Sequence, residues 1–261
     1  MAILDKFALQ GKVALVTGGA GRYGRQIVAA LAEAGAQTYM AARSLEALEA
    51  VAAAHRAAGR DVAALPLDQT NEGSILALRE AILARSGRVD VLVNNAVARP
   101  MTQGFHDDAA RFAESMQANA TGLFMITRAF GDVMAGQGGG AIINIGSIQG
   151  MVGPDPTLYR ETEMHGWYPD YFFHKGGLIN LTRFVASYYG PQGVRCNCIS
   201  AGGLFSESMP EPFVRQYSDR TFLGRLANDT DLMGIVVFLA SDASLYITGA
   251  NIPVDGGYTA K

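Results

Sequence analysis

Tyr171 and Lys175 lie four residues apart at the start of an apolar segment that is typical of a helix. One helical turn separates them, so the phenol and the ammonium would share a face. A free tyrosine has a pKa of about 10, which must fall by about 2–3 units for proton acceptance near neutrality. A cation about 4 Å away supplies an interaction of that size at an effective dielectric of about 20. Ser147, which follows the strand-like segment Ala141–Ile145, could donate a hydrogen bond to the same substrate. The three side chains form a candidate acid/base site.

A glycine-rich turn near the N-terminus indicates which reactant this site receives. Lys12–Thr17 is typical of a short buried strand, the turn from Gly18 to Gly24 follows at once, and Arg25–Gly35 has helical spacing. This order is typical of a dinucleotide-binding unit, in which glycines let the backbone approach a pyrophosphate and the helix N-terminus binds it. Glycines alone would be weak support, since tight turns also need them. Their position between strand and helix makes the prediction specific.

Composition limits the possible classes of protein. The 261 residues are 49% hydrophobic and 17% charged, with a net charge of −3. We expect a soluble cytoplasmic chain, because no apolar run is long enough to cross a bilayer and no basic, then apolar, leader begins the sequence. The charge balance argues against nucleic acid as a partner. Cys196 and Cys198 are the only thiols, so we interpret them as small core residues rather than as a redox or metal site.

Strand-like and helix-like segments alternate along the whole chain with no linker between them. Apolar strands joined by crossover helices predict a single α/β domain over residues 1–261, with a doubly wound, parallel, seven-stranded sheet of the Rossmann type. The predicted strands are Lys12–Thr17, Gln37–Ala41, Val62–Leu65, Val89–Val93, Ala141–Ile145, Arg195–Ile199 and Asn251–Val254. The predicted helices include Leu45–Ala58, Ser74–Ser86, Asp107–Met134, Tyr171–Tyr189 and Asp231–Ala240.

Several motifs, taken in order from Leu9 to Ala260, resemble those of the short-chain dehydrogenase/reductase family. They are the glycine turn, Asp68, Asn94-Asn95-Ala96, Asn119, Ser147, Tyr171 with Lys175, and the block from Phe238 to Gly257. This resemblance implies that Tyr171 exchanges a proton with the substrate oxygen, which Ser147 also binds. It implies that Lys175 lowers the tyrosine pKa and contacts the nicotinamide ribose, and that Asn119 holds a water that relays protons to bulk solvent.

The resemblance also implies where a nicotinamide dinucleotide would bind. Asp68 would accept from the adenine amino group, although it could instead cap the following helix. The backbone of Asn95 and Ala96 would pass beside the adenosine ribose. The predicted cofactor-binding set is Gly18, Gly21, Arg22, Tyr23, Gly24, Arg43, Asp68, Gln69, Asn95, Ala96, Lys175, Gly202 and Ser206.

The end of the second strand indicates which nicotinamide cofactor is preferred. An NAD enzyme places an acid there to bind the 2′-hydroxyl, whereas this chain has Ala42. Arg43 and Arg22 could converge on a 2′-phosphate, which favours NADP. Arg43 could instead stack on adenine and serve either cofactor. We therefore predict NADP, with NAD as the alternative.

The segment between Ser147 and Tyr171 is far longer than is usual in the family. Tyr159 stands at the usual spacing from the serine, but Glu163 four residues later would raise its pKa. Tyr168 has no cation one turn later either. Only Tyr171 satisfies the electrostatic requirement, so the extra residues are an insertion that precedes it.

The insertion, residues 154–169, must emerge beside the active site because both of its flanks belong to that site. Long irregular insertions are often functional, and the alternative is a surface loop with no role. Its polar and aromatic side chains suit a polyhydroxylated ring better than an acyl chain. We predict a sugar, sugar acid or related polyol as substrate, with an anionic substituent if the arginines face the cleft. The predicted substrate-binding residues are Ser147, Tyr171, Arg99, Arg160, His165 and Trp167.

The function that follows is the NAD(P)-dependent oxidation of a secondary alcohol or reduction of a ketone. Two alternatives stay open: a reductase of 3-oxoacyl or other small ketone substrates, and a non-catalytic nucleotide-sensing protein on the same fold. The apolar segment Phe184–Tyr189 predicts a homotetramer or homodimer.

Overall fold

Seven parallel strands form one sheet, with the spatial order β3-β2-β1-β4-β5-β6-β7. The computed structural model of the chain describes residues 2–164 and 167–261, so the predicted substrate residue His165 lies outside the described residues. The predicted doubly wound, seven-stranded Rossmann-type fold is confirmed. The strands are β1 (Val13–Thr17), β2 (Gln37–Ala42), β3 (Val62–Pro66), β4 (Val91–Asn94), β5 (Gly140–Ile145), β6 (Val194–Ala201) and β7 (Asn251–Val254).

The helices of the described chain lie on both faces of this sheet. Ser44 caps α2 by accepting from the backbone N–H of Ala47, and Asn71 caps α3 in the same way through Ser74. The cap of α3 is therefore Asn71 and not Asp68. None of the described helices is long and apolar enough to span a membrane. The helices are α1 (Arg22–Glu33), α2 (Leu45–Ala57), α3 (Glu72–Ser86), α4 (Ala109–Met116), α5 (Leu123–Gly136), α6 (Pro169–Tyr189), α7 (Glu211–Arg220) and α8 (Met233–Ala240).

The two faces of the sheet bury separate apolar cores. In β1, Ala14 and Val16 pack with α1, α2 and α8, whereas Val13 and Leu15 pack with α3, α5 and α6. Every residue of β1 is buried, as expected for a strand covered by helices on both sides. Cys196 and Cys198 are buried in β6, in accordance with the predicted core role. The carboxyl ends of the strands remain open, and their loops carry the candidate site.

A polar network inside the apolar core sets the position of α6. Asn94 and Asn144 face each other at the ends of β4 and β5, and Asn94 Nδ2 donates to Asn144 Oδ1 over 2.9 Å. Asn94 also donates to Thr127 of α5, and Asn144 donates to Thr182 of α6 over 2.9 Å. These buried hydrogen bonds attach α5 and α6 to the two central strands. The helix that carries Tyr171 therefore has one orientation against the sheet.

The prediction of one continuous helix over 107–134 is wrong, because this range contains two α-helices with a π-helical segment between them. Gln117–Gly122, which we call the π segment, has π-helical geometry and separates α4 from α5. Gln69 Nε2 donates to the carbonyl of Ala118 in this segment over 3.0 Å. Single π turns inside α-helices occur often at functional sites, because they redirect backbone groups. Helix α7 was also absent from the predicted elements, and β6 extends two residues beyond its predicted end at Ile199.

Candidate active site

The glycine turn joins β1 to α1 with almost no space to spare. Gly18 has a positive φ of 67°, a conformation that favours glycine. A Cβ at Gly24 would lie 2.1 Å from the carbonyl oxygen of Gly18, so only glycine allows this packing of helix on turn. Gly21 is the N-cap of α1, and Arg22 is the first helical residue. The turn thus exposes backbone N–H groups at a helix N-terminus, which suits a pyrophosphate.

The predicted cofactor residue Asn95 connects this turn to the end of β4. Its Nδ2 donates to the carbonyls of Thr17 and Gly18, both over 3.0 Å. The hydroxyl of Thr17 accepts from the backbone N–H groups of Asn95 and Ala96. The side chain of Asn95 is therefore engaged in holding the two strand ends together. A contact with the cofactor would come from the backbone here, as the resemblance implies for the Asn95-Ala96 pair.

Tyr23 connects the glycine turn to the end of β6. Its hydroxyl donates to the carbonyl of Gly202 over 2.7 Å, across 179 residues of sequence. Burial raises the pKa of this phenol, and the phenols of Tyr217 and Tyr171 raise it further. Tyr23 therefore stays neutral and acts as a hydrogen-bond donor. It brings two of the predicted cofactor segments, the turn and Gly202, into contact at the rim of the cleft.

Arg43 and Asp68 lie close together at the ends of β2 and β3. Asp68 Oδ1 accepts from the hydroxyl and the backbone N–H of Thr70, and these bonds, with the charge of Arg43, lower the pKa of the carboxyl. Arg22 and Arg43 are both exposed. The cradle of the glycine turn, the ionised Asp68 and the exposed cation of Arg43 fit an adenine nucleotide. Two predicted cofactor residues are bound by the chain itself: the side chain of Gln69 donates to the π segment, and the half-buried Ser206 pairs with Ser208.

The structure brings Ser147, Tyr171 and Lys175 together at the end of β5. Ser147 follows this strand by two residues, is 7% exposed, and caps a short turn by accepting from Gln149 N. Tyr171 lies in the first turn of α6, and the hydroxyl of Ser147 lies close enough to its phenol to lower the pKa of that phenol. Lys175 Nζ lies 5.6 Å from the centroid of the Tyr171 ring. The predicted acid/base arrangement is therefore present in the geometry.

Lys175 is anchored as well as charged. Its Nζ donates to the carbonyl of Ile145 over 2.6 Å, and the side chain is 6% exposed. Burial lowers the pKa of the ammonium, while Tyr171 raises it. Gly150 allows α6 to approach the turn after Ser147, because a Cβ there would lie 2.6 Å from the carbonyl oxygen of Lys175. Gly150 is not among the predicted site residues, although a glycine three residues after the serine indicates a tight turn.

The electrostatic environment favours ionisation of Tyr171. Burial of the ring favours the neutral phenol. The charges of Lys175 and Arg99, together with the nearby polar atoms of Ser147 and Arg99, oppose this effect and leave the pKa of Tyr171 lower than its ordinary value. In Tyr159, by contrast, burial raises the pKa to about 12. Of these two phenols, that of Tyr171 is the one whose pKa is lowered, which is the direction that proton exchange requires.

The side chain of Asn119 is fully engaged by the chain itself. Its Oδ1 accepts from Ala98 N over 2.9 Å, and its Nδ2 donates to Ala98 O over 2.8 Å and to Ser115 Oγ over 3.0 Å. Ser115 donates in turn to the buried carboxylate of Asp170, the residue before Tyr171. Asn119 thus positions the loop that carries Arg99. A water held at this residue would need the backbone of the π segment rather than the amide.

His174 packs against the candidate acid/base group. Its ring meets that of Tyr171 edge to face, with centroids 5.1 Å apart, and it is 6% exposed. Burial lowers the pKa of His174 to about 3, and the charges of Lys175 and Arg99 contribute to this. The structure therefore places this histidine, which directly precedes Lys175, in the packed interior. The imidazole is neutral at the pH where Tyr171 would act.

Replacement of His174 by Gln should reduce the loss of unfolding free energy that occurs as the pH falls below 6.5. The folded pKa of about 3 lies below the ordinary 6.5, so the unfolded chain takes up a proton that the folded chain excludes. The wild-type loses stability as pH falls from 6.5 towards 3, by about 1.4 kcal/mol per pH unit, or about 2 kcal/mol between pH 6.5 and 5. Urea unfolding at pH 7.5 and 5.0 measures this difference. His106→Gln, at an exposed position, is the control, and an unchanged slope in His174→Gln would contradict the assignment.

The insertion packs against α7, a helix that is not among the predicted elements. The ring of Tyr159 lies 5.6 Å from that of Phe213, and Leu158 is buried in the same cluster. The ion pairs Asp155–Arg220 (2.9 Å) and Glu161–Arg215 (3.4 Å) attach its surface to the same helix.

The predicted substrate residues of the insertion differ in position. Arg160 lines an open depression over α7 together with Arg215, Gln216 and Arg220. The structure therefore places it in this depression and not in the cleft, where it was predicted. The cause is the contact between the insertion and α7, a helix that the sequence analysis had not identified. Trp167 is 44% exposed, and its ring lies 6.3 Å from that of Tyr159. Nearly half of the Trp167 side chain is therefore accessible to a ligand.

Comparisons with known proteins agree with this geometry. Residues 22–259 match the family model described as enoyl-(acyl carrier protein) reductase. Galactitol 2-dehydrogenase (L-tagatose-forming) from Cereibacter sphaeroides is 32% identical over 259 residues, which cover 97% of each chain. A short-chain type dehydrogenase/reductase from Mycobacterium marinum has a TM-score of 0.89 and 30% identity, with both chains fully covered.

A further solved structure combines the fold with bound ligands. The gluconate 5-dehydrogenase from Burkholderia cenocepacia, in complex with NADP and tartrate, has a TM-score of 0.88 and 28% identity over 100% of both chains. The chain belongs to the short-chain dehydrogenase/reductase family and is an NAD(P)-dependent oxidoreductase.

Proposed function

We propose that this protein interconverts a secondary alcohol and a ketone on a sugar, a sugar acid or a related polyol, with NADP as the hydride carrier. The observation that carries the proposal is the phenol of Tyr171, which has a lowered pKa beside the hydroxyl of Ser147 and the ammonium of Lys175. Similarity to a galactitol dehydrogenase and to a gluconate dehydrogenase supports this class of substrate. The insertion, with the half-exposed indole of Trp167, supports it as well.

Each residue of the site then has a distinct task. In the oxidative direction, Tyr171 accepts the proton of the substrate hydroxyl, and Ser147 holds that oxygen by a hydrogen bond. Lys175 stabilises the phenolate by its charge. The nicotinamide supplies the hydride-accepting carbon when bound. In the reductive direction, Tyr171 donates its proton to the carbonyl oxygen. The backbone of the π segment near Asn119 is the place where a relay water to bulk solvent would bind.

NADP is the proposed cofactor because the end of β2 carries a cation and no acid. Arg43 is exposed beside Asp68, and Arg22 is exposed at the first turn of α1. A guanidinium binds a 2′-phosphate through charged hydrogen bonds. Replacement of Arg43 by Ala should therefore raise KM for NADP by about 10- to 100-fold and change KM for NAD much less. Initial rates with both cofactors measure this, and Arg79→Ala on α3 is the control. A wild-type preference for NAD would contradict the proposal.

The reductase of 3-oxoacyl or other small ketones remains the second candidate, because the matching family model describes an enoyl-(acyl carrier protein) reductase. A screen of alditols, aldonates, their keto forms and a short 3-oxoacyl thioester with each cofactor separates the candidates. Absorbance of the reduced nicotinamide reports turnover. Turnover confined to the carbohydrates supports the proposal, and turnover confined to the thioester overturns it. Cofactor binding without turnover of any compound would favour the nucleotide-sensing alternative.

We also propose that the chain acts as a homodimer or homotetramer. Phe173, Phe184 and Tyr188 are 66%, 64% and 62% exposed along α6, and Phe124 of α5 is 48% exposed. Large aromatic side chains rarely form such a row on a solvent-facing surface. A second copy of the chain would cover them. Light scattering gives the mass directly, and a monomer would contradict the proposal. The cytoplasmic location stays a prediction.

A further inference from the structure

Arg99 occupies a place that the acid/base chemistry does not require. Its guanidinium carbon lies 4.3 Å from the centroid of the Tyr171 ring, and its charge helps to lower the pKa of the phenol. The residue follows Ala98, whose backbone is held on both sides by the amide of Asn119. The loop that presents Arg99 is therefore fixed in place by the π segment. An exposed cation thus lies over the ring of the candidate acid/base residue.

This guanidinium keeps its capacity to bind an anion. Arginines elsewhere in the described chain, such as Arg88, Arg220 and Arg225, form ion pairs with carboxylates. None of the ion pairs among the described residues includes Arg99. Arg99 is also exposed, so a ligand can reach it. Stacking on an aromatic ring leaves the outer edge of a guanidinium available for a planar, bidentate partner.

The charges around the reacting group favour an anion over a neutral compound. The charged groups that act on the pKa values of Tyr171 and His174 are both cations, Lys175 and Arg99. Asp170, the acidic residue next in sequence to the tyrosine, is 2% exposed and turned to Ser115, on the side of α4. The cleft beside the phenol thus carries an excess of positive charge. A carboxylate on the substrate would balance it.

We propose that Arg99 binds the carboxylate of the substrate and that the preferred substrate is therefore a sugar acid rather than a neutral sugar or polyol. This inference rests on the proposed function and narrows its substrate class. The carboxylate must lie within a short carbon chain of the reacting carbon, because the same side chain contacts the phenol that exchanges the proton. Arg99 is then a specificity-determining residue, whereas Ser147, Tyr171 and Lys175 serve the reaction of any alcohol.

The test compares an aldonate with the alditol of the same carbon chain, gluconate against glucitol, on the NADP-loaded enzyme. The measured quantity is the ratio of the two kcat/KM values. Replacement of Arg99 by Gln should lower this ratio by about 30- to 100-fold, the size of a charged hydrogen-bonded contact. Arg99→Lys, which keeps the charge and loses the bidentate geometry, should give an intermediate ratio. Arg85→Gln on the outer surface of α3 is the control and should leave the ratio unchanged.

A competing role makes a different prediction. If Arg99 only lowers the pKa of Tyr171, then Arg99→Gln slows both substrates equally and shifts both pH profiles upwards, and an unchanged ratio overturns the proposal. If the wild-type enzyme oxidises neither compound, the proposed carbohydrate substrate class is wrong. Calorimetric titration of the NADP-loaded enzyme with gluconate then tests separately whether Arg99 binds a carboxylate. Binding that is lost in Arg99→Gln supports the anion site. Binding that is absent in the wild-type, or kept in the variant, overturns it.

Discussion

Replacement of Tyr171 by Phe is expected to lower kcat by about 10³- to 10⁴-fold, the upper range for removal of a general acid/base. The phenol is the group in the site whose oxygen can both accept and donate the proton, and the change removes that oxygen alone. The ring itself stays, so its edge-to-face contact with His174 and its stacking under Arg99 are preserved. Stopped-flow or steady-state absorbance of the reduced nicotinamide measures the effect.

The dissociation constant of NADP should change by less than about threefold in the same variant, because the glycine turn and Arg43 are untouched. Fluorescence titration of NADPH measures that constant. Tyr246→Phe, at a fully exposed position, is the control for loss of a phenol. Retention of wild-type turnover in Tyr171→Phe would remove the acid/base assignment, and loss of cofactor affinity would show that the tyrosine acts mainly in binding.

Replacement of Lys175 by Met is expected to lower kcat at pH 7 by about 10²-fold, with part of the loss recovered as the pH rises. Without the ammonium, the largest of the lowering effects is lost, so the pKa of Tyr171 would rise and the phenolate would form only at higher pH. The oxidative reaction would then recover in alkaline solution, since it needs the phenolate. The pH profile of kcat in Lys175→Met, set beside that of Tyr171→Phe, which should not recover, separates the two roles.

Two checks accompany the lysine variant. Lys175 Nζ also donates to Ile145 O, so thermal unfolding must show that the fold persists. Lys6→Met, at an exposed position near the N-terminus, controls for the loss of a positive charge. A variant that is folded and equally impaired at every pH would show that Lys175 acts by holding the substrate or the cofactor. It would not then act by lowering the pKa of the phenol.

The fold was largely readable from the sequence, because strands buried on both faces are continuous apolar runs. Val13–Thr17 is an example, with every residue buried. Ser147, Tyr171 and Lys175 were readable as well, since one helical turn brings the last two together and the end of β5 supplies the first. These relations depend on local geometry and on the parallel topology. They can therefore be predicted without knowing how any loop is folded.

The parts that could not be read depend on contacts between distant segments. The π segment is a single turn whose period differs too little from an α-helix to leave a sequence pattern, and the side chain of Gln69 supports it from another loop. We expected Arg160 in the cleft because the insertion flanks the site. Contacts with α7 instead hold that part of the insertion on the outer surface. Propensity alone does not indicate which surface a loop will cover.

The ionisation of Tyr171 is the property on which all other assignments depend. A spectrophotometric pH titration of the phenolate band in the wild-type protein, with the titration of Tyr171→Phe subtracted, isolates this one group. We expect a difference curve with a midpoint below the ordinary value of 10, since Lys175 and Arg99 favour the phenolate. A midpoint at or above 10 would mean that burial dominates, and it would contradict the assignment of Tyr171 as the acid/base group.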